Sequence, residues 1–243
     1  AVAGRIPENA LLSHDLFEGN FARAGLATDV QVVEDFPERY VVDVARQHRW
    51  ARGDWQLLPW MFPRARGLSG LGFWKMFDNL RRTLTPALTL AALAAGWWTL
   101  PAAHSLAWTL FLLAVMFVPG FLPIFAGSSL RREPITLESQ LLTLRDDITS
   151  ALLLTGARLA FLPHQSVVML DAVMRTLYRL YASKRNLMEW TAAAQLQSSL
   201  KPTLAGTCKL MASSVVIGVV VLLGSLLLPA NNGLIALPFA VAW

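Results

Sequence analysis

Two long stretches of this sequence contain no charged side chain. No Asp, Glu, Lys or Arg occurs from Thr83 to Leu130 or from Leu210 to Trp243. Hydrophobic residues make up 55% of the chain, above the roughly 45–50% of an ordinary soluble domain. Because a bilayer span takes about 20 apolar residues, the first stretch is long enough for two spans and a turn. The second holds one span and most of another, so the sequence predicts a multi-pass membrane protein.

Other features are also scarce. Cys208 is the single cysteine, so no disulfide can form within the chain. No His/Cys cluster has the spacing of metal ligands, and no Gly-rich loop is suited to a phosphate, so we expect no metal site here. The sequence begins with Ala rather than Met and ends in an apolar run, which favours a piece of a larger protein.

The net charge is +5, and much of the basic charge lies beside the uncharged stretches. This is the distribution that the positive-inside rule gives for loops on the cytoplasmic side of a membrane. It leaves few basic residues for a nucleic acid, so no such partner is expected. The flanking basic residues are Arg81, Arg82, Arg131, Arg132, Lys201 and Lys209.

Residues 1–65 have the composition of a soluble domain. Ser13 can cap a helix that Gly25 ends. Alternating apolar residues predict a short strand over 29–34, and a second helix is expected over 41–60. This order fits the C-terminal end of a cytoplasmic α/β domain.

The rest of the chain is predicted to be α-helical and associated with a membrane. A helix with aromatic residues on one face and Lys/Arg on the other suits the membrane interface. We therefore expect a mostly α membrane protein with about four transmembrane helices, the last one incomplete. The predicted segments are an interfacial amphipathic helix at 66–82, two spans within 83–130, a cytoplasmic or interfacial helical region at 131–205, and the third and partial fourth spans within 206–243. Pro163 is expected to interrupt the region 131–205, and the last helix of that region is predicted to carry Leu187, Trp190 and Ala194.

Two short elements carry candidate chemistry. In Ser-His-Asp-Leu-Phe-Glu-Gly, Asp15 lies in the first turn of a helix, and Arg-Gln-His-Arg-Trp begins about thirty residues later. Each is weak alone, because an Asp in a first helical turn usually serves the helix dipole. Together they supply what an inverting glycosyl transfer needs: a carboxylate for the proton of the acceptor hydroxyl, planar cations for the leaving diphosphate, and an aromatic face for a sugar. The candidate base is Asp15, and the candidate substrate-binding residues are Arg46, Arg49 and Trp50.

The second element resembles the Gln/Arg-x-x-Arg-Trp motif of processive membrane glycosyltransferases such as cellulose and hyaluronan synthases. The first resembles their Glu-Asp motif, whose Asp is the catalytic base. His14 replaces Glu and Arg46 replaces the common Gln, and both departures are shared by cyclic β-1,2-glucan synthases. Longer strings also resemble that family, from Arg5 to about Gln197: PENALLSHDLFEG, ARQHRWARGDWQLLPW and LPHQSVVMLDAVMRTLYRLYASKRNLMEWTAAAQ.

The resemblance implies transfer of glucose from UDP-glucose to a growing β-1,2-glucan that is then cyclised. It implies a GT-A-like domain ending near residue 65 and a multi-pass location in a bacterial inner membrane. The family's donor-binding part, with its Mg²⁺- or Mn²⁺-binding Asp residues, lies upstream of this chain. A phosphorylase-like domain lies downstream. The chain by itself is therefore expected to bind no cofactor and to transfer no sugar.

Two alternatives stay open from the sequence. Another processive transferase, such as a periplasmic glucan glucosyltransferase, shares a similar Ser-His-Asp. A non-enzymatic transporter or membrane scaffold would also carry several spans, although transporters more often have ionisable residues within them.

Overall fold

The computed structural model describes residues 11–12, 15–22, 25, 27–33, 37, 39–62, 67–130, 137–190 and 203–243. The described part is mostly helical and contains no strand. The chain divides into two compact units, which are described separately below. The first unit comprises residues 1–87 and 165–207, and the second comprises 88–164 and 208–243.

The helices follow one another along the chain. We number them α1 (Asp15–Ala22), α2 (Tyr40–Gln56), α3 (Leu58–Met61), α4 (Gly70–Thr99), α5 (Ala102–Leu130), α6 (Leu137–Ala160), α7 (Leu162–Leu177), α8 (Leu204–Leu210), α9 (Ala212–Ser225) and α10 (Ala230–Ala242). A π-helical turn, Tyr178–Ser183, follows α7 directly.

Helix α2 ends at Gln56, three residues before Pro59. Pro59 has no backbone N–H, so it cannot continue the i→i−4 bonding of α2. The N–H of Leu57 instead closes a tighter turn on the carbonyl of Asp54 at 3.1 Å. Helix α3 then begins with Pro59 in its first turn, where the missing N–H costs nothing.

The first unit has an apolar core beneath α2 and α3. Phe17 of α1 is fully buried and contacts Trp60 edge to face, and the start of α4 completes the cluster. The buried members are Leu11, Phe17, Leu57, Met61, Leu68, Met76 and Leu80. This core fixes α1 beside α2 and so determines where their polar side chains lie.

The strand predicted over 29–34 is wrong for the residues described there. Residues 29–33 form a turn and an irregular stretch, and Val30, Val32 and Val33 are exposed by 62%, 76% and 96%. Alternation favours a strand only where a neighbouring strand accepts its hydrogen bonds. None does so in the described part of the chain.

The helix predicted to carry Leu187 and Trp190 is also wrong for its described part, because residues 184–190 are irregular. Lys184 and Asn186 have φ values of 53° and 57°, in the left-handed region that interrupts a right-handed helix. Ala194 lies outside the described residues, as does the predicted cap Ser13. The break at Pro163 is confirmed, since α6 ends at Ala160.

One described helix combines the length and the apolar composition needed to cross a bilayer, over Ala102–Leu122, and 11% of its most apolar window is buried. The predicted interfacial helix and first span form one continuous helix, α4. Helices α9 and α10 are apolar but have 14 and 13 residues, so at about 1.5 Å per residue they fall short of a span of roughly 30 Å. The count of four spans stays a prediction.

Candidate active site

A cleft of about 490 Å³ opens in the first unit. Its volume lies in the range of roughly 300–1,000 Å³ that is typical of small-molecule sites. Three helices contribute most of its lining, together with Met169 of α7. The lining residues are Asp15 and Leu16 of α1, Gln47, Trp50, Ala51 and Asp54 of α2, Asn79, Arg82 and Thr83 of α4, and Met169.

One face of α2 forms a wall of the cleft. Gln47, Trp50, Ala51 and Asp54 are spaced i, i+3, i+4 and i+7, so they lie on a single face of the helix. The indole of Trp50 is 43% exposed, which leaves ring surface open to a ligand. Gln47 donates to Asp43 Oδ2 at 2.6 Å, one turn earlier on the same face.

The structure brings two of the sequence-predicted residues into this one cleft. Asp15 is exposed at the start of α1, and Trp50 lies on the adjacent wall. The Arg46 guanidinium carbon lies 4.6 Å from the centroid of the Trp50 ring, and its Nη2 donates to Asp43 Oδ1 at 3.3 Å. Arg46 therefore places positive charge against the aromatic wall through a cation–π contact.

Arg49 points to a different aromatic ring. Its guanidinium carbon lies 4.6 Å from the centroid of the Trp190 ring, and Arg49 is not among the residues that line the cleft. The three predicted residues of α2 thus take part in two cation–π contacts, Arg46 with Trp50 and Arg49 with Trp190. Trp190 was predicted only as a residue of a helix, and it contacts Arg49 from the irregular segment 184–190.

Sequence reasoning missed three polar side chains that line the cleft together with Trp50, namely Asp54, Asn79 and Arg82. Asn79 Nδ2 donates to Asp54 Oδ1 at 2.9 Å, and Arg82 Nη2 donates to Asn79 Oδ1. Burial raises the pKa of Asp54, while the hydrogen bond from Asn79 and the charge of Arg82 oppose that rise. The one sequence signal that could have identified Asp54 was its spacing, since it follows Trp50 by one helical turn and therefore lies on the same helix face.

The other side of α2 is tied to α7. His48 Nε2 and Asp171 Oδ2 lie 2.9 Å apart, and Asp171 also accepts two hydrogen bonds from Arg175. Burial lowers the pKa of His48, and the neighbouring Asp171 counteracts that effect. No sequence pattern connects His48 with a residue 123 positions later.

Two further side chains of α2 hold the segment 184–190. Arg52 is 5% exposed and donates to the carbonyl oxygens of Glu189 at 2.8 Å and Leu187 at 3.3 Å. Gln56 donates to the same Leu187 oxygen at 3.0 Å. Because α2 satisfies these carbonyls, the segment needs no helix of its own to do so.

These groups define what the cleft can do. An exposed carboxylate, Asp15, can accept a proton from a bound hydroxyl. A half-exposed indole can stack against an apolar ring face, and the carboxylate of Asp54 can accept hydrogen bonds at the ring edge. Among the described residues, no three His, Cys, Asp or Glu side chains are grouped as metal ligands.

Comparison with known proteins gives one extensive similarity. Over all 243 residues the chain is 43% identical to cyclic β-(1,2)-glucan synthase NdvB of Rhizobium meliloti (strain 1021). The chain spans about 9% of the length of that protein. No protein-family model matches the chain.

Proposed function

The chain is homologous over its full length to a segment of a cyclic β-1,2-glucan synthase, and from this premise we propose that it forms the acceptor side of a glucosyltransferase site. The full-length protein transfers glucose from UDP-glucose to a growing β-1,2-glucan. The observation that carries the proposal is the meeting of Asp15 and Trp50 in one cleft. A base and a stacking surface are the two groups that an acceptor sugar requires.

In the proposed reaction, the oxygen of an acceptor hydroxyl bonds to C1 of the donor glucose as the bond from C1 to UDP breaks. Asp15 takes the hydroxyl proton, and UDP leaves with its bonding electron pair. Trp50 carries the acceptor ring. Arg46 and Arg49 stabilise the negative charge that develops on the diphosphate, since their planar guanidinium groups suit phosphate oxygens.

The proposal assigns donor binding and control of chain length to other regions of the full-length protein. The donor pocket, with its Mg²⁺ or Mn²⁺, lies upstream, and residues 1–65 end a GT-A-like domain. A phosphorylase-like domain lies downstream. This division predicts that the isolated chain, given UDP-glucose, releases no UDP and makes no glucan.

The membrane part of the proposal is a multi-pass location in the bacterial inner membrane. It is supported by α5, whose apolar side chains are largely unburied, as expected of a lipid-facing helix rather than a soluble core helix. The proposal places the turn at Pro101 on the periplasmic side. A cysteine replacing His104 should react with an impermeant thiol reagent on intact spheroplasts, and labelling only after lysis would contradict this topology.

The substitution Asp15→Asn in the full-length synthase tests the proposed reaction. Asn keeps the shape of the side chain but cannot act as a base. Glucan synthesis should fall by about 10²- to 10⁴-fold, while the affinity for UDP-glucose changes little. Turnover, UDP-glucose binding and melting temperature would be measured together.

The matched control is Glu18→Gln, which neutralises another exposed carboxylate of α1 that does not line the cleft. It should retain wild-type turnover. A folded Asp15→Asn variant that binds the donor and polymerises at the wild-type rate would show that Asp15 is not the base.

A further inference from the structure

Three polar side chains form a directed chain of hydrogen bonds in the cleft. Arg82 donates to the amide oxygen of Asn79, and the amide nitrogen of Asn79 donates to Asp54 Oδ1. Arg82 is itself held by Asp78, with Nε 3.1 Å from Asp78 Oδ2. Because each donor has a defined acceptor, the amide of Asn79 has one favoured orientation and the carboxylate of Asp54 is fixed in place.

A purely structural link between α2 and α4 would not need these groups at a cleft surface. Partial burial of a carboxylate carries a desolvation cost, and here Asp54 and both its supporting residues line the cleft. Within the part of the chain that the structure describes, Asp54 Oδ1 has a protein donor and no bond is formed by Oδ2. That second oxygen is available to a ligand in the cleft.

The position of Asp54 relative to Trp50 defines the ligand. The two residues are four apart on α2, so the carboxylate lies one turn along the same helix face as the indole. A pyranose ring has apolar faces and a rim of hydroxyl groups. A sugar stacked on Trp50 therefore presents rim hydroxyls in the direction of Asp54.

We infer that Asp54, held by Asn79 and Arg82, accepts a hydrogen bond from a hydroxyl of the acceptor sugar and thereby selects which neighbouring hydroxyl faces Asp15. This inference rests on the proposed function, because it assigns Trp50 and Asp15 to the acceptor. It makes Asp54 an acceptor-binding residue that determines linkage, separate from the base.

The test uses the full-length synthase with Asp54→Asn and, separately, Asn79→Ala. The probe is the β-1,2-linked glucose disaccharide, whose affinity is measured by equilibrium dialysis in the presence of UDP. Asp54→Asn should weaken disaccharide binding about tenfold or more, as expected when a hydrogen bond to a charged group is lost. UDP-glucose affinity should stay within about twofold, since Asp54 does not contact the donor.

Linkage analysis of the product provides the second measurement. Asp54→Asn should increase the share of glucosidic bonds other than β-1,2, while Asn79→Ala should do so to a smaller extent because the carboxylate remains. The matched control is Asp29→Asn, an exposed carboxylate of the same unit outside the cleft. It should leave both measurements unchanged.

Different results would overturn different claims. If the wild-type synthase binds the disaccharide and Asp54→Asn binds it equally well with unchanged linkage, the inference fails and the proposed function stands. Equal loss of donor and disaccharide binding would also overturn the inference, since Asp54 would then not be specific to the acceptor. If the wild-type synthase transfers no glucose from UDP-glucose, the proposed function itself fails. Should Asp54→Asn not fold, Asn79→Ala decides between the same outcomes.

Discussion

In the first unit, charged and polar side chains join the helices beside an apolar core, whereas in the second unit the helices pack closely at glycines and share hydrogen bonds from Trp and Asn side chains. In the first unit, Asn79 bonds to Asp54, His48 bonds to Asp171, and Arg52 binds two backbone carbonyls. These contacts connect helices and loops that lie far apart in the sequence. They also leave charged and polar groups facing a cleft, which is where chemistry becomes possible.

In the second unit, the close packing of the helices depends on glycine and tryptophan. A Cβ placed on Gly96 would overlap a ring carbon of Trp108, and Trp108 Nε1 donates to the carbonyl of Ala92 at 2.8 Å. Likewise a Cβ on Gly218 would lie 2.9 Å from the backbone of Trp243. Small residues that permit close helix approach are typical of helices packed in a membrane.

The two units also differ in how their large apolar side chains are exposed. Along α5 and α9, large apolar side chains face outwards, including Val115, Leu122 and Val220 at 53%, 58% and 62% exposure. In the first unit, seven apolar side chains form a buried cluster beside α2, although others such as Val33 are exposed. Outward-facing apolar side chains along α5 are what the proposed membrane location predicts. Substitutions in each unit test this difference separately.

The largest effect is expected from Arg52→Ala in the first unit. The change removes two charge-assisted hydrogen bonds to the carbonyls of Leu187 and Glu189, each worth about 1.5–3 kcal/mol. Local opening of the segment 184–190 should become easier by about 3 kcal/mol. Hydrogen exchange of its amides in the full-length protein should accelerate by roughly 10²-fold, and trypsin should cut faster after Lys184.

The control for this prediction is Arg145→Ala, which removes an exposed arginine of α6. It should leave exchange in the segment 184–190 at the wild-type rate. Unchanged exchange and unchanged cleavage in Arg52→Ala would mean that polar contacts do not hold the first unit together.

A smaller effect is expected from Gly96→Ala in the second unit. The added methyl group overlaps Trp108, and overpacking of this kind costs about 1–3 kcal/mol. Amide exchange in α4 and α5 should accelerate, with no change at the segment 184–190. Gly156→Ala is the matched change, because a Cβ at Gly156 meets nothing within 4 Å. It should be neutral or stabilise α6 by about 0.5–1 kcal/mol. Equal effects of the two substitutions would contradict the role of close approach.

The smallest effect is expected from the pH dependence of stability that the partly buried His48 contributes. Burial lowers the pKa of His48 below 6.5, so the unfolded state binds more protons between the lowered value and 6.5. Stability of the first unit should therefore fall as pH falls through that window, by less than about 1 kcal/mol. The lowered pKa of Asp171 acts in the same direction, at pH values below 3.8.

His48→Gln provides the measurement, because Gln cannot titrate. Amide exchange in α2 and α7, followed between pH 5 and 8, should lose part of its pH dependence once the intrinsic exchange rate is divided out. His104→Gln, on the exposed first turn of α5, should leave that profile unchanged. If His48→Gln retains the full wild-type profile, another group controls the acid response of the first unit.

The helices could be predicted from the sequence where local signals agree. Apolar periodicity located α2, and Pro163 located the break between α6 and α7, because these signals act within a few residues. The strand at 29–34 was wrong because alternation says nothing about whether a partner strand is present. The helix around Leu187 was wrong because side chains of α2, more than 130 residues earlier, bind its carbonyls.

The candidate site was predictable to a similar degree. Asp15 and Trp50 could be selected from motif chemistry, and their roles remain proposals. Asn79 and Arg82 could not be selected, because they lie on a helix whose pattern indicated a membrane interface. Asn79 and Arg82 reach the cleft because α4 packs against the cluster that contains Phe17 and Met61. This packing turns the face of α4 that carries both residues towards the cleft.

By itself the sequence determined the helical character of the chain, its long uncharged stretches and its similarity to cyclic β-1,2-glucan synthases, since each depends on neighbouring residues or on the residue order. Only the tertiary structure decided which polar side chains meet. Asp54 and Asn79 are 25 positions apart, and His48 and Asp171 are 123 apart. Such pairs form when burial of distant apolar residues fixes the helices that carry them, and no local pattern encodes that distance.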